Sequence, residues 1–236
     1  MQAVLLAGGL GTRLRSVVHD RPKPMADVCG KPFMEYLILE LKKHGVDHIV
    51  MAVGYKGSMV EEYFKDGKEI GVKIDYSYEE TQLGTAGAIK NAERYINGTE
   101  FLVLNADTFY QAAYSEAFSL YQEMNLDMAL VVRRVPDVSR YGSVKIEQNR
   151  VIGFNEKVEE PIPGVINGGI YIMKRSVLDL IPTKKKCSLE NEIIPQMLSN
   201  GKKLGAIVND GYFIDIGVPK DYYQFIEDVK EEKIRF

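Results

Sequence analysis

The chain has 236 residues, 45% of them hydrophobic and 27% charged, enough for one sizeable α/β domain or two small ones. Its formal net charge of −3, with lysines and arginines dispersed apart from Lys184, Lys185 and Lys186, supplies no basic field for nucleic acid, and the lysine run reads as a solvated loop. No apolar run approaches the roughly 20 residues of a membrane span, and Cys29 and Cys187, with no metal spacing and no secretory leader, read as reduced thiols of a soluble cytoplasmic protein.

Residues 3–7 (AVLLA) are an unbroken apolar run ahead of glycine, which suits a strand buried on both faces of a parallel sheet. A helix is expected over 32–44: Pro32 suits the first helical position, Phe33, Leu37 and Leu41 recur every four residues, and Gly45 can end it. Strands at 48–53 and 72–78 alternate with helices at 58–65 and 85–96, and FLVLN (101–105) makes a fourth buried strand. Short connections between alternating elements predict a parallel sheet with helices on both faces. Beyond residue 126, MALVVRRV, SVKIEQ and RVIGFNEK are strands divided by turn residues, a pattern of antiparallel or mixed pairing. A strand over 164–174, a helix over 188–201 capped by Ser188 and kinked at Pro195, strands in LGAIVND and GYFIDIG, and an amphipathic helix from about 219 complete the chain. There is no internal repeat and no low-complexity linker, so one domain over 1–236 is expected.

The glycines of LAGGLGTRL (6–14) match neither common phosphate-binding pattern. A dinucleotide fingerprint needs glycine where Leu14 stands and an acidic residue where the second strand ends Val53-Gly54. A P-loop fails because Gly30-Lys31 is followed by proline and has no glycine five residues earlier. What remains is a loop with Gly8, Gly9 and Gly11 at the carboxyl end of the first strand, where backbone N–H groups can approach a phosphate and Arg13 offers a planar fork of donors. Ten residues beyond Arg13, two prolines flank Lys23 (RPKPM), a stiff mount for a single cation.

Asp107 follows the buried strand FLVLN, and Asp215 lies in FIDIG between apolar neighbours. Two aspartates and a bound triphosphate would make an oxygen-rich site for Mg²⁺. His19, His44 and His48 show no ligand spacing.

Taken in order, LAGGLGTRL, PKPM, GKP, LGTAGA (83–88), Asp107, Glu156-Lys157, NGGIY (167–171) and FIDIG (213–217) resemble the sugar-phosphate nucleotidyltransferases over nearly the whole chain. The resemblance implies a Rossmann-like, GT-A-like α/β fold: a mixed, mainly parallel sheet flanked by helices, with a small antiparallel elaboration in the second half. Residues 1–125 would mainly bind nucleotide and 126–236 mainly the sugar phosphate. It also implies the reaction, in which a sugar 1-phosphate attacks the α-phosphorus of a nucleoside triphosphate and pyrophosphate leaves. By the match, Arg13 would hold the triphosphate, Lys23 would bridge the reacting phosphates, and Asp107 and Asp215 would hold Mg²⁺. Leu6, Ala7, Gly8, Gly9, Gly11, Thr12, Gln82, Gly84, Thr85 and Gly87 would form the nucleotide site, with Gly84 approaching the base and Thr85 capping the helix that follows. Asn105, Tyr141, Gly142, Glu156, Lys157 and Asn167 would take the sugar phosphate, with Lys157 on its phosphate. The stretches GTRLRSVVHDRPKPMADVCGKPF, GYKGSMVEEYFKDG and FIDIGVPKDYY most closely resemble members that transfer guanylyl from GTP to a heptose 1-phosphate, which implies a product for lipopolysaccharide or capsule, and a homodimer is the family's default.

One position departs from the family's pattern: Ala106 precedes Asp107 where relatives carry glycine. A negative φ is expected there, in which case alanine costs almost nothing. Two alternatives remain open at this point. Transfer of thymidylyl, cytidylyl or uridylyl, or of guanylyl to mannose 1-phosphate, would retain every motif; a non-catalytic nucleotide-sugar-binding subunit would be expected to lose members of the set Arg13, Lys23, Asp107, Lys157 and Asp215, all of which are present.

Overall fold

The computed structural model describes residues 1–139, 141, 143–155 and 161–234. In chain order its elements are β1 (Gln2–Leu6), β2 (Asp27–Val28), β3 (Lys31–Pro32), α1 (Phe33–Lys43), β4 (His48–Val53), α2 (Gly57–Phe64), β5 (Lys73–Tyr78) and α3 (Gly84–Asn91). There follow β6 (Glu100–Asn105), β7 (Thr108–Tyr110), α4 (Tyr114–Glu123), β8 (Met128–Val135), β9 (Ser143–Glu147), β10 (Arg150–Asn155) and β11 (Gly164–Lys174). The last are α5 (Ile194–Ser199), β12 (Leu204–Val208), β13 (Phe213–Asp215) and α6 (Pro219–Lys230).

Nine strands form one mixed sheet in the order β5-β4-β1-β6-β11-β8-β12-β10-β9. β1 lies between β4 and β6 and is parallel to both, so strand order reverses around it. The crevice beyond the carboxyl ends of β1 and β6 is therefore where an open α/β sheet takes its ligand. The apolar run of β1 suits this central place: Ala3 and Leu5 enter the core on one face and Val4 the core on the other, all fully buried. The second half continues the same sheet. β11 is antiparallel to β6 and β8, β8 and β12 are parallel, and the β9–β10 hairpin makes the antiparallel edge.

β4 and β11 coincide with their expected spans. Helix α1 starts one residue later than expected, because Pro32 (φ −61°, ψ 142°) pairs with Asp27 in the β2–β3 hairpin and stays extended. Gly45, at φ +78°, ends it as expected. Helix α3 stops at Asn91 instead of 96: the Ala92 N–H is shared by the Ala88 and Ile89 carbonyls, and the chain tightens into a 3-10 turn at Glu93–Tyr95. Ser188 does cap its helix, accepting the Asn191 N–H at 3.1 Å, but the first turn, Leu189–Ile193, is a π turn. Pro195 has no N–H to give and its ring crowds the preceding turn, which widens to accommodate it. Helix α4 was not expected, although its buried Tyr114, Ala117 and Tyr121 stand at helical spacing.

A third core supports the ligand crevice. β7 and β13 pair antiparallel, with Asp215 opposite Thr108. Helix α6 packs nearby through Phe225, whose ring meets those of Phe33 (centroids 4.9 Å apart) and Phe109 (5.3 Å); burying it contributes about 1.5–3 kcal/mol. Leu14, Ile214 and Ile216 belong to the same cluster. Cys29 is exposed, Cys187 is buried, and both are free thiols. Among the described residues no helix is long and apolar enough to cross a membrane.

Candidate active site

The prolines around Lys23 do form a fixed mount. Pro22 is extended (φ −62°, ψ 148°), and Lys23–Met25 make a 3-10 turn closed by the Met25 N–H on the Pro22 carbonyl at 2.8 Å. Lys23 is buried, and its Nζ lies 2.8 Å from Asp107 Oδ2 and 3.2 Å from Asp215 Oδ1. Strand pairing causes this convergence. Asp107 immediately precedes β7, Asp215 ends its partner β13, and the Ile216 N–H donates to the Asp107 carbonyl at 3.1 Å. Asp215 Oδ1 also accepts the Gly217 N–H at 2.7 Å. One ammonium between two carboxylates leaves a formal charge of −1, which attracts a further cation. Ala106 is not among the residues with positive φ, is completely buried and donates its N–H to the Leu6 carbonyl at 3.2 Å. Alanine therefore carries no left-handed strain there.

After β1 the chain enters a 3-10 turn at Thr12–Leu14. Leu14 is sunk in the third core and anchors the turn, while Arg13 is exposed on it. Gly11 has φ +60°, and a Cβ there would stand 2.9 Å from Lys23 Cβ, so backbone and packing both exclude a side chain. Two cavities meet at this loop. The smaller, about 190 Å³, is bordered by Leu6, Ala7, Gly9, Gly11, Thr12, Arg13, Lys23, Asp107 and Gly217. The larger, about 330 Å³, is bordered by Leu6, Gly8, Gly9, Glu79, Gln82, Gly84, Thr85, Asn105, Asp107 and Lys186. Leu6, Gly9 and Asp107 border both, so the two form one cleft that passes the Lys23 ammonium.

Several expected residues have other local duties. Thr85 does not cap α3: the cap position is Leu83, and the helix already begins at Gly84. The Thr85 hydroxyl instead donates to Glu190 Oε2 (2.8 Å) and accepts the Leu189 N–H (2.7 Å). Gly84, at φ +70°, would place a Cβ 2.6 Å from the Cys187 carbonyl, and Gly87 would place one 2.7 Å from that of Lys185. Gly87 borders neither cavity; it admits the 185–187 loop against α3.

The hydrogen bonds continue from Glu190 to Asn167 on β11. Tyr171, completely buried, donates its hydroxyl to Glu190 Oε1 (2.7 Å) and accepts from Asn167 Nδ2 (2.6 Å), while Asn167 Oδ1 accepts the Gly169 N–H (3.0 Å). Burial and the Glu190 charge hold the Tyr171 phenol well above its ordinary pKa, which keeps it a donor. Thr85 and Asn167 are thus linked through one carboxylate. Glu190→Ala would strand the Tyr171 and Thr85 hydroxyls and is expected to destabilise by about 1–3 kcal/mol. Denaturant unfolding checks this, and an unchanged midpoint would refute it.

Tyr141 lies with its ring centroid 6.3 Å from that of Phe213, two residues before Asp215. Gly142, Glu156 and Lys157 lie outside the described residues. Three residues that border the cleft, Glu79, Lys186 and Gly217, and Glu190, which holds the Thr85 hydroxyl, are not singled out by the sequence reading. Glu79 carried the signal used for Asp107, an acidic residue directly after a strand. Lys186, read as solvated, is exposed but borders the larger cavity, and only the docking of its loop on α3 brings it there.

The Nucleotidyl transferase family model matches residues 2–232. A D-glycero-α-D-manno-heptose 1-phosphate guanylyltransferase of Campylobacter jejuni is 44% identical over 229 residues, covering 96% of this chain and 99% of its own. One of the same name from Aneurinibacillus thermoaerophilus is 38% identical over 222 residues, covering 94% and 95%. Among solved structures, HddC from Yersinia pseudotuberculosis, 37% identical, superimposes with a TM-score of 0.87, covering 97% of this chain and 99% of its own, and its form complexed with GMP-PN gives 0.86. The match runs through both halves of the sheet and through every segment that builds the cleft, and on that ground the chain belongs to the nucleotidyl transferase family.

Proposed function

We propose that the protein transfers GMP from GTP to D-glycero-α-D-manno-heptose 1-phosphate, releasing pyrophosphate. The observation that carries this reading is the end-to-end likeness, at 44% identity, to a guanylyltransferase of that name. In the reaction a phosphate oxygen of the sugar 1-phosphate forms a bond to the α-phosphorus as the bond from that phosphorus to the bridging oxygen of pyrophosphate breaks. The attacking phosphate is already ionised near neutral pH, its second pKa being about 6, so no general base is needed. What the protein must do is hold two anions together and stabilise charge at the phosphorus.

In this reading the base occupies the larger cavity and the phosphates the smaller. Arg13 grips the triphosphate and the departing pyrophosphate, and the Lys23 ammonium lies across the reacting phosphates. Asn105, Asn167, Tyr141 and the segment with Gly142, Glu156 and Lys157 receive the sugar phosphate. The Asp107 and Asp215 carboxylates fit Mg²⁺: both are hard oxygen donors that already converge on one cation, and Mg²⁺ commonly takes one or two carboxylates with substrate phosphates. When bound, the metal would neutralise charge on the phosphate oxygens.

A pyrophosphate-release matrix tests the reading: GTP, dTTP, CTP and UTP against heptose, mannose and glucose 1-phosphates with Mg²⁺. The fastest pair is expected to be GTP with the heptose 1-phosphate. A preference for dTTP with glucose 1-phosphate would overturn the guanylyl assignment while leaving nucleotidyl transfer in place. Lys157→Ala is expected to act mainly by raising KM for the sugar phosphate, and an unchanged KM would remove it from that role.

A further inference from the structure

We propose that Glu79 reads the guanine base, its carboxylate accepting the ring N1–H and the exocyclic N2–H. This rests on the guanylyl reading above and adds the residue that selects the base.

Glu79 directly follows β5, with its N–H on the Val53 carbonyl at 2.8 Å. Its side chain reaches the glycine loop so closely that a Cβ at Gly8 would run into Oε1, and Oε2 accepts the Leu83 N–H at 3.0 Å. The carboxylate is therefore clamped between the loop after β1 and the start of α3, on the wall of the larger cavity. The other carboxylate bordering that cavity, Asp107, is engaged by Lys23. Among the described residues no cation pairs with Glu79, and Leu83 is its one side-chain hydrogen-bond partner. Oε1 is not among the sealed, unsatisfied oxygens, so a ligand in the cavity can reach it. Burial holds this carboxyl above its usual pKa, partly offset by the Leu83 N–H, as expected of a charge partly withdrawn from solvent.

A carboxylate only accepts hydrogen bonds. Guanine presents two adjacent N–H donors, N1–H and N2–H₂, on one edge and can satisfy both oxygens. Uracil and thymine set a single N3–H between two carbonyls, cytosine sets N4–H₂ beside the N3 lone pair, and adenine sets N6–H₂ beside that of N1. Each of these would turn a lone pair towards the carboxylate. A site built to receive a donor rejects a base that lacks it, because its own polar group is left unpaired.

The test compares kcat/KM for GTP and for ITP, which lacks only the 2-amino group, in wild type and Glu79→Gln. Wild type is expected to prefer GTP by roughly 10- to 100-fold, the range for a hydrogen bond to a charged group. Glu79→Gln keeps an acceptor for the Leu83 N–H, so the loop is held. It should lose GTP efficiency and bring the GTP/ITP ratio to within about threefold of unity. If Glu79 only props the loop, both nucleotides fall together and the ratio stands, which overturns the proposal. A wild-type ratio near unity overturns it without any variant. Faster wild-type turnover of another nucleoside triphosphate than of GTP is a different result: it removes the guanylyl reading and this proposal with it.

Discussion

Lys23→Ala lowers turnover by roughly 10²-fold or more while the fold persists, the loss expected when one preorganised electrostatic stabiliser is removed. The side chain is held by the turn between Pro22 and Met25, by Gly11 against its Cβ, and by two carboxylates at its tip. On the proposed reading it therefore needs no reorganisation as charge develops on the phosphates. Without it, Asp107 and Asp215 face a triphosphate with less positive charge between them, so substrate positioning and transition-state stabilisation both suffer. The check is kcat from pyrophosphate release at saturating substrates, with circular dichroism to confirm folding. Full activity would remove Lys23 from the chemistry.

Asp107→Ala gives a loss of similar size, roughly 10²-fold or more, with a different signature. Lys23 keeps Asp215 as partner at 3.2 Å, so the lysine mount survives. On the proposed reading, what is lost is one of two oxygen donors for Mg²⁺, and the metal concentration for half-maximal rate should rise as turnover falls. Among the described residues no group of three or more acidic, histidine or cysteine side chains forms a metal cluster. A Mg²⁺ titration of wild type and variant decides it: wild-type turnover at the wild-type metal requirement refutes the role.

The parts of the fold legible in the sequence were those set by short-range patterns. The runs of β1, β4 and β6 are apolar without interruption because helices cover both faces, and they read as buried strands. Gly45 could end α1 because only backbone freedom was at issue. Pro32 and Thr85 were misplaced relative to their helices, and the end expected at 96 for α3 comes at Asn91. Each boundary was decided by a contact outside the helix's own pattern or by a shared hydrogen bond: the hairpin pairing with Asp27 for Pro32, the distant Glu190 carboxylate for Thr85, and the bifurcated Ala92 N–H beyond Asn91. The place of Lys186 on the cavity and of Glu190 under Thr85 and Tyr171 was invisible, since nothing local distinguishes them from solvated charges.

By itself the sequence determined the identity and order of the chemical groups: the glycine loop with Arg13, the proline-mounted lysine, two strand-end aspartates and the motifs shared with the nucleotidyl transferase family. Those depend on residue type and spacing alone. Only the tertiary structure decided that Asp107 and Asp215, far apart in the chain, converge on one ammonium, because antiparallel pairing of β7 with β13 sets Asp215 opposite Thr108. Only packing decided that Gly87 faces a loop instead of the cleft, and that Glu79 stands on the cavity wall. Long-range contacts of this kind arise when strands find their partners and side chains exclude water, and neither is encoded in any single stretch of residues.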